Sequence, residues 1–134
     1  MIGRVLDSTA LIAWARRTSP YVDAVIWSRA GHAGYIVPVV TTAPALATAL
    51  AQIPGKDVPV LEALLAMDIS VVDALTPGNA PGVAEVLHTA GPFAAEALTA
   101  ASVVHAAHRR SLPVVTSNPF PLTRLREVEI DLIP

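Results

Sequence analysis

Twelve prolines cut this chain of 134 residues into short segments. Proline lacks the backbone donor that helix interiors and central strands need, so these cuts suggest where elements begin and end. Between the cuts, short apolar runs alternate with stretches of helical period. Residues 2–6 are an apolar run with Val and Leu, a candidate buried strand. Ser8 or Thr9 then caps a helix through Leu11, Ile12 and Trp14 to Arg16 and Arg17. Ser19-Pro20, a cap followed by a proline at the first helical position, opens a second helix to about Ala30, closed by Gly31 and Gly34. Residues 35–40 are the next strand, and Thr41 or Thr42 starts a helix through Leu46 and Leu50. Beyond Pro54-Gly55, residues 60–67 and 83–89 read as helices, 69–72 as a strand and 77–81 as a turn. Residues 93–110 form the longest helix, with strands at 112–115 and 128–133.

Strands alternating with helices predict βαβ units and a parallel sheet. Their unbroken apolar character fits strands buried on both faces. The expectation is a single domain over residues 1–134, a three-layer α/β/α fold whose five-stranded, mostly parallel sheet is flanked by helices.

Composition narrows the function. At 53% hydrophobic residues the chain is too apolar for a disordered polymer. Asp7, Arg16, Asp23 and Arg29 interrupt its N-terminal third, and no apolar run reaches the roughly 18 residues of a membrane span. Asp7 also stands where a secretory signal needs uninterrupted apolar residues, so the expected compartment is the cytoplasm. With no cysteine there is no disulfide, thiol nucleophile or thiolate metal site. A net charge of −2 supplies no global field for nucleic acid. Neither a phosphate-binding glycine loop nor a nucleophile elbow occurs.

Polar residues then mark a site. Open α/β sheets gather ligands beyond the carboxyl ends of their strands. Asp7 follows the first strand directly, and Thr116-Ser117-Asn118 follows the fourth. On the long helix, Ala97, Ala100, Val103, Val104 and Ala107 share a face at ~100° per residue, with Ser102, His105, His108 and Arg109 opposite, facing solvent. Glu96 projects from the edge of the apolar side near the helix start. Each residue alone has a structural reading: Asp7 as a helix cap, Glu96 as a dipole partner, Asn118 as a turn former. Together, three oxygen donors at two strand ends and one helix start suit a hard cation. Trp14 and Trp27, on amphipathic helices, belong to the core or to a dimer contact. His32, His88, His105 and His108 have no metal-ligand spacing.

The order of these segments resembles the PIN-domain family. The matching stretches are Val5-Leu6-Asp7-Ser8-Thr9-Ala10-Leu11, Val37-Pro38-Val39-Val40, Glu96-Ala97-Leu98 and Pro113-Val114-Val115-Thr116-Ser117-Asn118. Toxins of the VapC type, single-domain ribonucleases paired with an antitoxin, are the nearest look-alikes. The resemblance implies RNA cleavage by a hydrolase that holds Mg²⁺ or Mn²⁺ in an acidic cluster. Asp7 matches the first acid of that pattern and Glu96 the third, usually an Asp. Thr116 matches a threonine of the motif, and Ser8 stands beside Asp7 as a supporting residue. Two acids are missing. Six residues after Pro38, where the pattern has Glu, this chain has Pro44, with no carboxylate from 41 to 52. Asn118 stands in place of the fourth acid. Asp7 and Glu96 are thus the expected catalytic residues, and with Asn118 the metal ligands.

Fewer negative charges mean weaker metal binding and reduced or absent cleavage. The competing function is a catalytically silent PIN-like protein that acts through an antitoxin-like partner or through self-association. A receiver-like domain is disfavoured, because no acidic pair accompanies Asp7. A surface with only 15% charged residues overall also predicts a homodimer.

Overall fold

A computed structural model describes residues 3–30 and 38–134, apart from the side chains of residues 27–30. Five strands form one sheet in the order β3-β2-β1-β4-β5, every neighbouring pair parallel. They are β1 (Arg4–Leu6), β2 (Val39–Thr42), β3 (Ser70–Asp73), β4 (Val114–Thr116) and β5 (Ile130–Leu132). Among the described residues seven α-helices flank them: α1 (Ser8–Arg16), α2 (Pro20–Ala30), α3 (Ala43–Gln52), α4 (Val58–Leu65), α5 (Ala80–Leu87), α6 (Leu98–Arg110) and α7 (Phe120–Thr123). The three-layer α/β/α architecture is as the sequence predicts.

Burial separates the centre of the sheet from its edges. All four residues of β2, all three of β4 and both Val5 and Leu6 of β1 are buried. On the edge strand β3, by contrast, Val71 and Val72 are exposed. Parallel strands make no tight hairpin, so each crossover carries a helix whose apolar stripe closes over the sheet. Trp14 of α1 is in that core. The predicted glycine stop of α2, the start of the second predicted strand, His32 and the side chain of Trp27 lie outside the described residues.

Several boundaries differ from the sequence reading. The second strand runs on through Thr41 and Thr42, because β-branched threonines fit a pleated strand. Thr41 donates to the Leu6 carbonyl oxygen at 2.8 Å, and Thr42 accepts from the Ala45 amide at 3.2 Å as the cap of α3. The long helix starts at Leu98 rather than at residue 93. Gly91, with φ of 57°, and Pro92 break the chain there, and a separate turn closed by the Ala97 amide on the Phe93 carbonyl (3.1 Å) precedes the helix. The short helix α7, with Pro119 as its cap and Pro121 in its first turn, was not foreseen.

The polar face predicted for the long helix is also corrected. Ser102 is buried, and His105 is half-buried against α5, so only His108 and Arg109 of that group are exposed. Helix α6 packs on α3, α5, α7 and the three central strands, which leaves little of its circumference to solvent. Close approach of α5 depends on Gly82, where a Cβ would fall 2.3 Å from His105 Cε1. Burial, reinforced by the charge of Arg109, holds the His105 imidazole below its usual pKa. The end of α6 is tied to the end of β3 by Arg110, which donates twice to Asp73 (2.5 and 2.7 Å), and by Arg109 (3.0 Å).

Gly3 sets the distance between β1 and β2. A Cβ there would lie 2.8 Å from the Pro38 carbonyl oxygen, which accepts the Arg4 amide at 3.3 Å. Gly3→Ala is expected to cost about 1–3 kcal/mol, the usual toll of overpacking. Urea denaturation measures it; an unchanged midpoint would refute the contact.

Candidate functional site

The strand order places a topological switch between β1 and β4. From β1 the chain proceeds to β2 and β3 on one side, then returns to β4 and β5 on the other. Connections leaving in opposite directions open a crevice at the carboxyl ends of those two strands. A cleft of about 280 Å³ is found there. It is lined by Asp7 and Ser8 beyond β1, Asn118 beyond β4, Glu96 before α6, Thr48 of α3, and Thr99, Ala100 and Val103 of α6; Thr9, Pro121 and Leu122 complete it.

Asp7, Ser8, Glu96 and Asn118, spread over the sequence, thus share one cleft. They differ in surroundings. Asp7 is buried and caps α1: its Oδ1 accepts the Thr9 hydroxyl at 2.6 Å and the Ala10 amide at 3.0 Å. Burial raises its carboxyl above the usual range, while hydrogen bonding from the Thr116 and Thr9 hydroxyls and the Ala10 amide pulls the other way. Glu96 and Asn118 are exposed at the rim. The expected edge position of Glu96 on a helix gives way to the turn before α6, a consequence of the break at Gly91-Pro92.

Two expected positions are corrected. Thr116 does not line the cleft; as the last residue of the central strand β4 it is wholly buried beneath it. There its oxygen accepts the Asn118 amide at 3.0 Å, and its hydroxyl pairs with that of Thr9 at 3.2 Å. Pro44 is also absent from the cleft wall. It lines a separate crevice with Thr42, Asp73, Ser102 and His105, because the first turn of α3 packs beside the middle of α6. One turn further along α3, Thr48 reaches the cleft and pairs with Thr99 at 3.2 Å. The sequence reading missed Thr9, Thr48 and Thr99; their i, i+4 and strand-end spacing was visible, but hydroxyls carried no signal beside the search for acids.

Among the described residues no group of three or more His, Asp or Glu side chains is placed to hold a metal ion. Asp73, another carboxylate at a strand end, is engaged by Arg109 and Arg110. Asp7 and Glu96 with the neutral Asn118 oxygen are what the cleft offers a cation. Mg²⁺ is commonly held by one or two carboxylates plus waters and substrate phosphate, so this donor set fits it, though sparely.

No protein-family model matches the sequence, and no curated protein does. Among solved structures the chain is similar to PAE2754 from Pyrobaculum aerophilum, with a TM-score of 0.55 and 18% identity over 92% of this chain and 86% of that one. At that identity the likeness speaks for the fold.

The raised carboxyl of Asp7 has a thermodynamic sign. A folded-state value above the unfolded one stabilises the protein at low pH, and that contribution is lost as pH rises through the folded value. Above that folded value the ionised, buried Asp7 therefore costs stability. Asp7→Asn keeps the capping oxygen and should stabilise the protein at neutral pH by about 1 kcal/mol. Thermal melts across pH check this: the advantage should shrink as pH falls through the carboxylate range, and a variant less stable at pH 7 would contradict it.

Proposed function

We propose that this chain is a PIN-like, metal-dependent ribonuclease of low activity. The observation that carries the reading is the convergence of Asp7, Glu96 and Asn118 on one cleft at the switch point of a parallel sheet. In this reading Asp7 and Glu96 hold Mg²⁺ or Mn²⁺, with the Asn118 side-chain oxygen as a neutral third donor. The cation would supply activation of water and neutralisation of phosphate charge. Thr9, Ala10 and Thr116 position Asp7, while burial disfavours its ionised form and so weakens the grip on a cation. Low affinity follows from three features: one acid is buried, the other is exposed, and the remaining donor is uncharged.

A second reading, a non-catalytic binding protein that pairs with itself or with an antitoxin-like chain, is favoured by the apolar surface. Phe93 and Phe120 are exposed at 59% and 65%, and so are Val71 and Val72 on the edge strand β3. Light scattering that gives twice 14.0 kDa supports self-association, and a monomer at all concentrations removes it.

Mn²⁺ calorimetry and cleavage of a mixed RNA pool test the first reading. Wild-type protein should bind in the millimolar range and cleave slowly, with both lost in Asp7→Ala. No saturable binding and no cleavage would overturn it. Charge restored where the cleft is lined should strengthen binding: Thr48→Glu combined with Asn118→Asp is expected to gain roughly tenfold or more. Pro44→Glu, in the neighbouring crevice, should gain less. The reverse order would show that position 44, not 48, addresses the cation.

A further inference from the structure

Helices α5 and α6 meet at a point where one of them has no side chain. A Cβ on Gly82 would fall 2.3 Å from Cε1 of His105, 2.9 Å from Nδ1 and 3.0 Å from Nε2. The end of the imidazole that carries both nitrogens therefore lies against the backbone of α5, and neither nitrogen has a hydrogen-bond partner among the described residues. A neutral ring tolerates this place, but an imidazolium has two N–H donors and a charge to satisfy. Its surroundings are poorly suited to one. Gly82 stands in the first turn of α5, the positive end of that helix. Arg109 and His108 follow on α6, and Arg126 approaches from beyond α7. Asp73, at the end of β3, is the acid that would attract a charge on the ring, and Arg109 and Arg110 already bind it. Glu85, the acid of α5, is exposed, and α3, β2 and α7 bring no charged residue.

We propose that the His105–Gly82 contact is a proton-operated latch between α5 and α6, closed while the ring is neutral and opened by its protonation. A charged ring has to leave Gly82 for water, and the first turn of α5 then loses the surface on which it rests. The effect reaches the cleft. From α5 the chain runs through the turn at His88–Phe93 to Glu96 at the rim, so freeing α5 loosens the mooring of that carboxylate. The sign follows from the lowered value that burial, and then Arg109, impose on His105. Stability from the neutral ring is present above the ordinary histidine range and is lost as pH falls through the folded value. Asp7 acts in the opposite sense, gaining as pH falls. The latch stands on helix packing and holds whether or not the chain cleaves RNA.

The test is an NMR titration of the ¹⁵N-labelled full chain from about pH 8 to about pH 5, following the His105 ring nitrogens and the amide exchange of residues 83–87. The ring should titrate below the ordinary histidine range. Exchange in α5, corrected for the intrinsic effect of pH, should speed up as the ring charges, while that of β4 holds steady. The gain is about tenfold for each pH unit that separates the latched from the free value. The Ala97 amide beside Glu96 should shift with the same midpoint. His105→Phe, a ring with no proton to take up, should keep α5 protected throughout. Gly82→Ala should leave α5 open already at the alkaline end and return His105 to the ordinary range. Acid opening of α5 that persists in His105→Phe, or a midpoint for α5 that differs from that of the ring, would overturn the proposal. Should either variant fail to fold, the wild-type comparison of the two midpoints decides alone.

Discussion

Strand β1 is paired along both its sides, and nearly everything else in the molecule is positioned by that fact. Its residues Val5 and Leu6 bond to β2 on one side and β4 on the other, with no measurable exposure. A strand of three residues can hold a sheet's centre only if its neighbours approach closely, which is why the position before it is glycine. The same pairing aims the chain after Leu6 at the carboxyl edge. Asp7 leaves the strand there, turns extended (φ −83°, ψ −177°) and starts α1 by capping it. Structural cap and candidate ligand are one side chain, and neither role excludes the other.

At the strand ends, threonines do what charged residues do elsewhere. Thr41 and Thr42 finish β2, Thr116 finishes β4, and each spends its hydroxyl on a neighbour: Leu6, Ser102 and Thr9 respectively. A strand end in a parallel sheet leaves backbone and side-chain polar groups in a buried place, and unpaired groups there are costly. Short hydroxyl chains satisfy them without introducing charge. The result is a set of strand ends that are polar but uncharged, with Asp7 as the buried acid beside them.

Much of the architecture was legible because the strands of a sheet buried on both faces must be apolar throughout, as Val5-Leu6, Val39-Val40 and Val114-Val115 are. The alternation of such runs with capped helices leaves few topologies. What stayed hidden was set by tertiary contact. Ser102 and His105 looked like a solvent face on a helical wheel, since periodicity registers polarity but cannot see that β2 and α5 supply partners on that side. Glu96 was expected on a helix that Gly91 and Pro92 postpone. In the cleft, Asp7 and Asn118 were visible because strand ends are marked by the abrupt change from apolar to polar. Thr48 and Pro44 differ by one helical turn, a distance that counting along a sequence does not resolve without knowing how α3 lies against α6.

The register of β1 with β4 also has a consequence in time. Val5 pairs with Val114, so the centre of the sheet joins residues that lie about a hundred positions apart. At roughly 5–20 residues per second on the ribosome, the N-terminal strand waits on the order of 5–20 s for its partner to be made. Through that interval β1 can pair only with β2, and its other edge, one of the most apolar lines in the chain, stands open. Closing so long a loop late also makes for slow folding. The nascent chain is therefore most vulnerable before β4 emerges, when the seam that becomes the cleft is still an unsealed margin.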